Sequence, residues 1–508
     1  MISQLYETSP GLLAVGVALS LATVVVFTFR LWGEFVGNAI LSTFNGGVLS
    51  TGRAAPGPKW QWPNGQFADK FLNGAARSEE WRKYGPVYRI WAGPKPEIVL
   101  TTPEDLKVFH TDSDKHFKPK DGNFGWFFDQ VLGRCVGLLS LDEWKNMRRV
   151  VDPSFTHGAT VKRISVTEAD AKSFVENLHT ISNEGAEVAK TKGRFTVPAM
   201  AAFMKFPFIF TAEVVYGNMS EAEKEELWAI AEKRQALLPF FFKGSFYRTS
   251  YLKWFDRPAY NQLQEFLNSW AEFNTRMARS RREQALPVPI VKYWDEYLQG
   301  NITLEQVTHT LDEMLFANLD VTTHVLTWAI TLIADHEGAK KELREEIEAH
   351  KDNLQEYITN VNTHLHRCYY ESLRLRPIAV FSIGESAPSV KNFRGIHVKP
   401  NTMVLVDTYA INVRNPFWGP NSEEYDPSRF KNVKSTDLRY NLFVFGFGYR
   451  KCLGQYLAGH MVKAILVHLF SQYEAVIIDG RKGKSDYDID KTTWVPVADV
   501  TVELTKLQ

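Results

Sequence analysis

Cysteine is scarce in this chain: Cys135, Cys368 and Cys452 are the only three in 508 residues. They form no Cys-x-x-Cys pair and no even set, which argues against a disulfide framework and a zinc cluster and suits a reducing compartment. Surplus charge is missing as well, since 59 Lys and Arg stand against 58 Asp and Glu. With no strongly basic block and no acidic tail, no nucleic-acid partner is expected. No low-complexity or Pro/Ser-rich linker interrupts residues 60–508 and no internal repeat occurs, so a single large domain is expected there. Charge is absent altogether from Gly11 to Phe29. That stretch is long enough for a helix across a hydrocarbon core of about 30 Å.

The flanks of this stretch set its expected orientation. Met1 to Pro10 holds Glu7 but no Lys or Arg, whereas Arg30, Arg53 and Lys59 follow the apolar run. A cleaved leader has a basic start and a shorter apolar core, so the pattern favours a retained anchor with the body on the cytosolic side. The expected order is a luminal tail at 1–10, a transmembrane anchor at 11–31, a linker and proline hinge at 32–59 (Ala55-Pro56-Gly57-Pro58), and a globular domain at 60–508.

The fold class expected for that domain is mainly α with a small β-sheet subdomain. Val87–Trp91 and Glu97–Leu100 read as strands around the turn Gly93-Pro94-Lys95-Pro96. Thr303 opens a capping box with Gln306, and helical periodicity runs from there to Gly338, a length of roughly 50 Å. Met314, Leu315, Phe316, Ala317, Leu319, Val321, Val325 and Leu326 make its middle apolar on nearly every side, so it must thread the interior. Asp320 lies within that apolar run, and a buried acid needs a partner or a task.

The sharpest feature is Phe445-Gly446-Phe447-Gly448-Tyr449-Arg450-Lys451-Cys452-Leu453-Gly454. Glycines let the backbone approach a flat ligand and leave amides for a sulfur, and a cysteine near a helix start is biased towards thiolate. Leu457, His460, Met461, Ala464, Ile465, His468 and Leu469 continue at helical spacing. The segment matches Phe-x-x-Gly-x-Arg-x-Cys-x-Gly at every fixed position, and in this it resembles the haem-binding signature of the cytochrome P-450 family.

That resemblance implies a cytochrome P-450 fold with haem b, its iron ligated by the Cys452 thiolate. Phe445 would shield the sulfur, and the backbone from Gly446 to Gly454 would tune it. Trp144-Lys145-Asn146-Met147-Arg148 resembles the family's Trp-x-x-x-Arg helix, so Trp144, Arg148 and Arg450 are implied as donors to the haem propionates. Glu371 and Arg374, three apart on a helix, share a face and can pair. With Arg429 they resemble the family's Glu-Arg-Arg lock, which implies a structural role. Ala317-Asn318-Leu319-Asp320-Val321-Thr322-Thr323 resembles the oxygen-activation segment, with two departures. Asn318 replaces a glycine and Val321 replaces the usual alcohol, leaving Asp320, Thr322 and Asn318 as the candidate proton relay. A further departure is Phe381-Ser382-Ile383-Gly384, which offers no Arg or His to a propionate.

The family's chemistry implies a monooxygenase placing one atom of O2 into an apolar small molecule, fed with NADPH electrons by NADPH-cytochrome P-450 reductase. The departures resemble fungal members that tailor secondary metabolites: terpenoids, alkaloids, diketopiperazines or polyketides. A haem-thiolate isomerase or peroxide-rearrangement enzyme, and a non-catalytic haem sensor or carrier, are the alternatives. The implied location is the endoplasmic reticulum membrane, crossed once, with lipid as a further partner. Pro239-Phe240-Phe241-Phe242, Phe246-Tyr247 and Trp254-Phe255 suit a lid dipping into the membrane interface.

Overall fold

The computed structural model describes residues 10–43, 45–119, 121–483, 486–490 and 493–507. Apart from Pro10, the expected luminal tail lies outside them. The first element, α1 (Pro10–Thr43), is a single 34-residue helix. Val15, Val17, Leu19, Leu21, Val24 and Val25 stand exposed along it. It does not stop near residue 31: the helix continues through the first part of the expected linker. The reason is tertiary. Asn38 Nδ2 donates to the Trp60 carbonyl at 2.7 Å, Trp60 N–H donates back to Asn38 Oδ1 at 2.7 Å, and Trp62 N–H donates to Glu34 Oε1 at 3.1 Å.

Among the described residues, the helix both long and apolar enough to cross a membrane is Ala199–Tyr216, and 61% of that window is buried in the domain, as befits a core helix. The described part of α1 contributes the shorter apolar stretch Ala14–Val25.

The domain is mostly helical around three small sheets. Strands β1 (Val87–Ala92) and β2 (Lys95–Leu100) form the expected hairpin, and the sheet order is β1-β2-β7-β4 with β7 (Met403–Val406) parallel to β2 and β4 (Glu385–Ser386) at the edge. A second sheet orders β3 (Arg194–Pro198), β9 (Thr501–Lys506) and β8 (Tyr473–Asp479), and β5 (Lys391–Phe393) pairs with β6 (Ile396–Val398).

Five helices position the site: α2 (Leu141–Val151), α3 (Leu304–Ala317), α4 (Thr323–Asp335), α5 (His364–Leu375) and α6 (Gln455–Gln472). The capping box at Thr303 and Gln306 is present. Helical backbone runs from α3 into α4 through a π turn at Asn318–Thr322. It ends at Asp335, short of Gly338, because His336 is extended and its ring nitrogen caps the next helix by accepting Ala339 N–H at 3.0 Å. α6 is apolar nearly all round and buried from Leu457 to Phe470, which places it in the core beneath the cysteine loop.

The aromatic segment after Leu237 divides. Phe241 is buried, whereas Phe246, Tyr251, Phe255 and, at 67%, Trp254 are exposed. Arg248 ties this segment to the body by donating to Asn64 Oδ1 at 2.9 Å.

Candidate active site

The cysteine loop folds tightly because Gly446 (φ 75°) and Gly448 (φ 63°) adopt left-handed backbone that a side chain would strain. Cys452 N–H closes the loop on the Phe445 carbonyl at 2.8 Å. α6 begins at Gln455, and the amides of Gly454 and Gln455 point at the Cys452 sulfur. Burial nevertheless pushes the free thiol above its ordinary value, with the Glu313 carboxylate adding to the rise and the two amides and Arg148 opposing it. Desolvation thus outweighs the helix-start bias towards thiolate expected from sequence.

Cys452 keeps accessible surface just before the start of α6. α3 comes near enough for the Glu313 carboxylate to act on the Cys452 thiol. Most side chains there are fully buried, but Glu313, Met314, Ala317, Asn318 and Val321 keep accessible surface. Their spacing of one, three, one and three residues sets them on one stripe. Nothing stands within 4 Å of where a Cβ on Gly454 would project. A thiol with free surface, a glycine-framed loop and open space beside Gly454 are the fittings a flat metal macrocycle needs, so the residues present suit haem.

At one edge of this slot Trp144, Arg148 and Arg450 come together. The Arg450 guanidinium lies 4.7 Å and that of Arg148 5.7 Å from the Trp144 ring centre. Arg450 Nη2 donates to the carbonyls of Gly137 and Leu139 at 3.0 and 2.7 Å, and Arg148 Nε pairs with Asp152 at 2.6 Å. Sequence reading left one cation out. Lys118 Nζ lies 3.3 Å from the Ile383 carbonyl and 3.1 Å from Glu385 Oε1. It thus reaches the segment that lacked an Arg or His. Burial would raise Glu385, but Lys118 and a His116 hydrogen bond hold it well below the usual carboxylate range.

Glu371, Arg374 and Arg429 also meet. Arg374 grips Glu371 with two hydrogen bonds of 2.7 and 2.8 Å, both side chains fully buried, and its Nη1 donates to the carbonyls of Asn412 and Ser422. Arg429 Nε lies 3.4 Å from Glu371 Oε1 and its Nη1 donates to the Trp418 carbonyl at 2.8 Å. The pair therefore staples α5 to the loop leading to Cys452.

The relay candidates separate. Thr322 Oγ1 donates to Asn318 Oδ1 at 2.6 Å, and Asn318 Nδ2 donates to the Met314 carbonyl at 2.6 Å. Both groups are engaged within the π turn, the hydroxyl keeping its acceptor lone pairs and the amide a second N–H. Asp320 differs. It is buried, and its Oδ1 has no hydrogen-bond partner among the described residues. Burial pushes its carboxyl up to about 6, against the charge of Arg234 and a hydrogen bond from Trp494.

A helical domain with a glycine-framed cysteine under a π-bulged interior helix defines a haem-thiolate enzyme. The cytochrome P450 family profile matches residues 73–495, and the chain belongs to that family. It is similar to the cytochrome P450 monooxygenases hasH of Aspergillus fumigatus (37% identical, covering 88% of this chain and 84% of that protein) and sirC of Leptosphaeria maculans (36%, covering 90% and 89%). A third relative is the cytochrome P450 monooxygenase asaD of Aspergillus flavus (38%, covering 89% and 86%). The protein is accordingly a cytochrome P-450 monooxygenase whose cofactor is haem-thiolate iron and whose electrons come from a redox partner.

Proposed function

We propose that this protein is a microsomal monooxygenase of secondary-metabolite biosynthesis, acting on an apolar terpenoid, alkaloid, diketopiperazine or polyketide. One oxygen atom of O2 enters a C–H or C=C bond and the other leaves as water, with two electrons from NADPH and two protons completing the balance. The electrons arrive through NADPH-cytochrome P-450 reductase. The observation that carries this reading is the Cys452 thiol in its glycine-framed loop, with the Gly454 and Gln455 amides on its sulfur.

Cys452 is the residue that would ligate the iron of haem b. Trp144, Arg148, Arg450 and Lys118 would hold its propionates, with Phe445, Gly446 and Gly454 beside the sulfur. When bound, haem-thiolate iron supplies the activation of O2, and a thiol bound to a metal is held deprotonated. The chain's own tasks are then to exclude water, orient the substrate and move protons. Asp320 does the last: near pH 7 about one carboxyl in ten carries a proton, so its Oδ1 can take and give protons readily. Thr322 and Asn318 keep that carboxyl in place by holding the π turn.

The proposed location is the endoplasmic reticulum membrane, crossed once, with the catalytic domain cytosolic. The exposed apolar face of α1 supports it, as do the charges after residue 29 and the exposed aromatics around Trp254, which suit contact with lipid.

The test is spectroscopic. Reduced wild-type protein with carbon monoxide should show the red-shifted Soret band of a thiolate-ligated haem, and Cys452→Ala should lose it. Survival of that band in Cys452→Ala would overturn the assignment, because Cys135 and Cys368 are both buried and neither lies in a loop turned by left-handed glycines. Product formation that needs both NADPH and reductase completes the case.

A further inference from the structure

Among the described residues four lysines are buried, and three of them meet a carboxylate: Lys70 at Glu97 (2.6 Å), Lys340 at Glu337 (3.0 Å) and Lys391 at Asp112 (2.5 Å). The fourth, Lys463 of α6, does not. It is 3% exposed, and burial alone acts on it, lowering its ammonium to about 8 with no carboxylate to oppose the shift.

Its surroundings add bases. α5 packs against α6, with the Tyr369 ring 3.6 Å from where a Cβ at Gly459 would stand. Lys463 lies one turn on from Gly459 and His366 one turn back from Tyr369, so both face this seam, and the Lys463 charge joins burial in lowering His366. His460, three residues before Lys463, shares its face and is 5% exposed. Nδ1 of His366 and Nδ1 of His460 are both buried without a hydrogen-bond partner among the described residues. At the surface end, the exposed His157 stands 6.1 Å from the His460 ring and 5.1 Å from Tyr456. The acids on the adjoining helices are engaged elsewhere: Glu342 with His364 at 3.2 Å and Arg367 at 3.3 Å, and Glu168 with His468 at 2.8 Å.

An ammonium stripped of water and of counter-charge is costly, and protonating the imidazoles would add like charge. A metal cation would be repelled by Lys463. An ammonium and two imidazole nitrogens that can each carry a proton are donors with no acceptor, which is the complement of an anion. The slight exposure of Lys463 and His460 admits only a small one.

We propose that Lys463, His366 and His460 form a binding site for a small inorganic oxyanion, of phosphate size, held between α5 and α6 beneath the cysteine loop. The bound anion supplies the counter-charge that the chain omits and fastens the two helices together.

The experiment is a calorimetric titration of the full-length haem protein with inorganic phosphate at fixed ionic strength. Wild type should bind one phosphate per chain saturably. Lys463→Met, similar in size, should lose that binding, and His366→Phe with His460→Phe should weaken it about tenfold or more. The carbon monoxide spectrum should stay normal in Lys463→Met, which shows that the variant is folded around its haem. Phosphate should also raise the urea midpoint for loss of that spectrum in wild type and then level off, whereas Lys463→Met should show only the gradual rise that excluded salts give any protein. Absence of saturable binding in wild type, equal affinity in Lys463→Met, or parallel urea curves for the two would overturn the proposal and leave Lys463 an idle buried amine. Glycerol 3-phosphate binding as tightly as phosphate would overturn it too, because a site this enclosed excludes the ester.

Discussion

Replacing Asp320 by Asn should make the protein more stable and less active at once. The carboxyl titrates near 3.8 in a solvated chain and at about 6 in the fold. Below both values it is protonated in either state and contributes nothing. Between them the native state binds the extra proton, so stability falls as pH rises through this window, and above 6 the full cost of a buried ion remains. Two units correspond to about 3 kcal/mol at pH 7.5, shrinking to about 1.5 kcal/mol at pH 5. Asp320→Asn removes that cost, so its advantage over wild type in urea, followed by loss of the carbon monoxide signature, should approach these values and roughly double from pH 5 to pH 7.5. Product formation should meanwhile fall by about a hundredfold, the usual contribution of a placed acid, with reducing equivalents leaving as hydrogen peroxide. A variant no more stable at pH 7.5 than at pH 5, turning over normally, would show that Asp320 is an ordinary ionised core residue and that protons travel elsewhere.

Thr322→Val should cost about 1 kcal/mol of stability through the lost bond to Asn318 and reduce turnover far less than Asp320→Asn, as parallel assays of the two variants will show. Glu371→Gln strands the Arg374 guanidinium in the core, so it should destabilise by about 3–5 kcal/mol and deplete haem-loaded protein, measured by carbon monoxide difference spectra of expressed cells. Lys145 and Lys451 are exposed beside the Trp144 edge; Lys145→Glu with Lys451→Glu should raise the apparent KM for reductase about threefold to tenfold at low salt and flatten its dependence on ionic strength. Asn218 and Asn301 lie in glycosylation sequons, both exposed, yet the full-length chain should show no mobility shift removable by endoglycosidase, because the proposed orientation leaves the body in the cytosol.

What could be read from sequence was what depends on near neighbours. The Cys452 turn is dictated by Gly446 and Gly448, the Glu371–Arg374 pair by a three-residue spacing, the hairpin by its own turn, and the start of α3 by Thr303 and Gln306. What escaped depends on distant partners. Lys118 meets Ile383 across 265 residues of chain, and nothing around Lys118 marks it. Glu313 reads as one more polar residue until Gly137, 176 positions earlier, is seen to make room for it. The π turn changes helical register without any Pro or Gly to signal it, and it is this turn that brings Thr322 onto Asn318. The reach of α1 to Thr43 goes with backbone partners that Asn38 and Glu34 find at Trp60 and Trp62, more than twenty residues on.

In the proposed membrane setting, that last junction would make α1 a ruler as well as an anchor. From Pro10 to Glu34 the helix rises about 36 Å, little more than a hydrocarbon core, so its docking residues would emerge at the membrane surface with no slack beneath them. Trp60 is part of the fastening: its indole N–H donates to the Gly93 carbonyl at 2.9 Å, and its ring fills the space beside Gly37. Asn64, four residues on, holds Arg248 of the segment bearing Tyr251 and Trp254. Helix and aromatics are thus fixed to one short stretch of chain, and the depth at which those aromatics ride is set by helix length. A soluble version cut just before Trp32 keeps Glu34, Gly37 and Asn38 in their seats, whereas one cut after Thr43 uncovers two tryptophans and should aggregate.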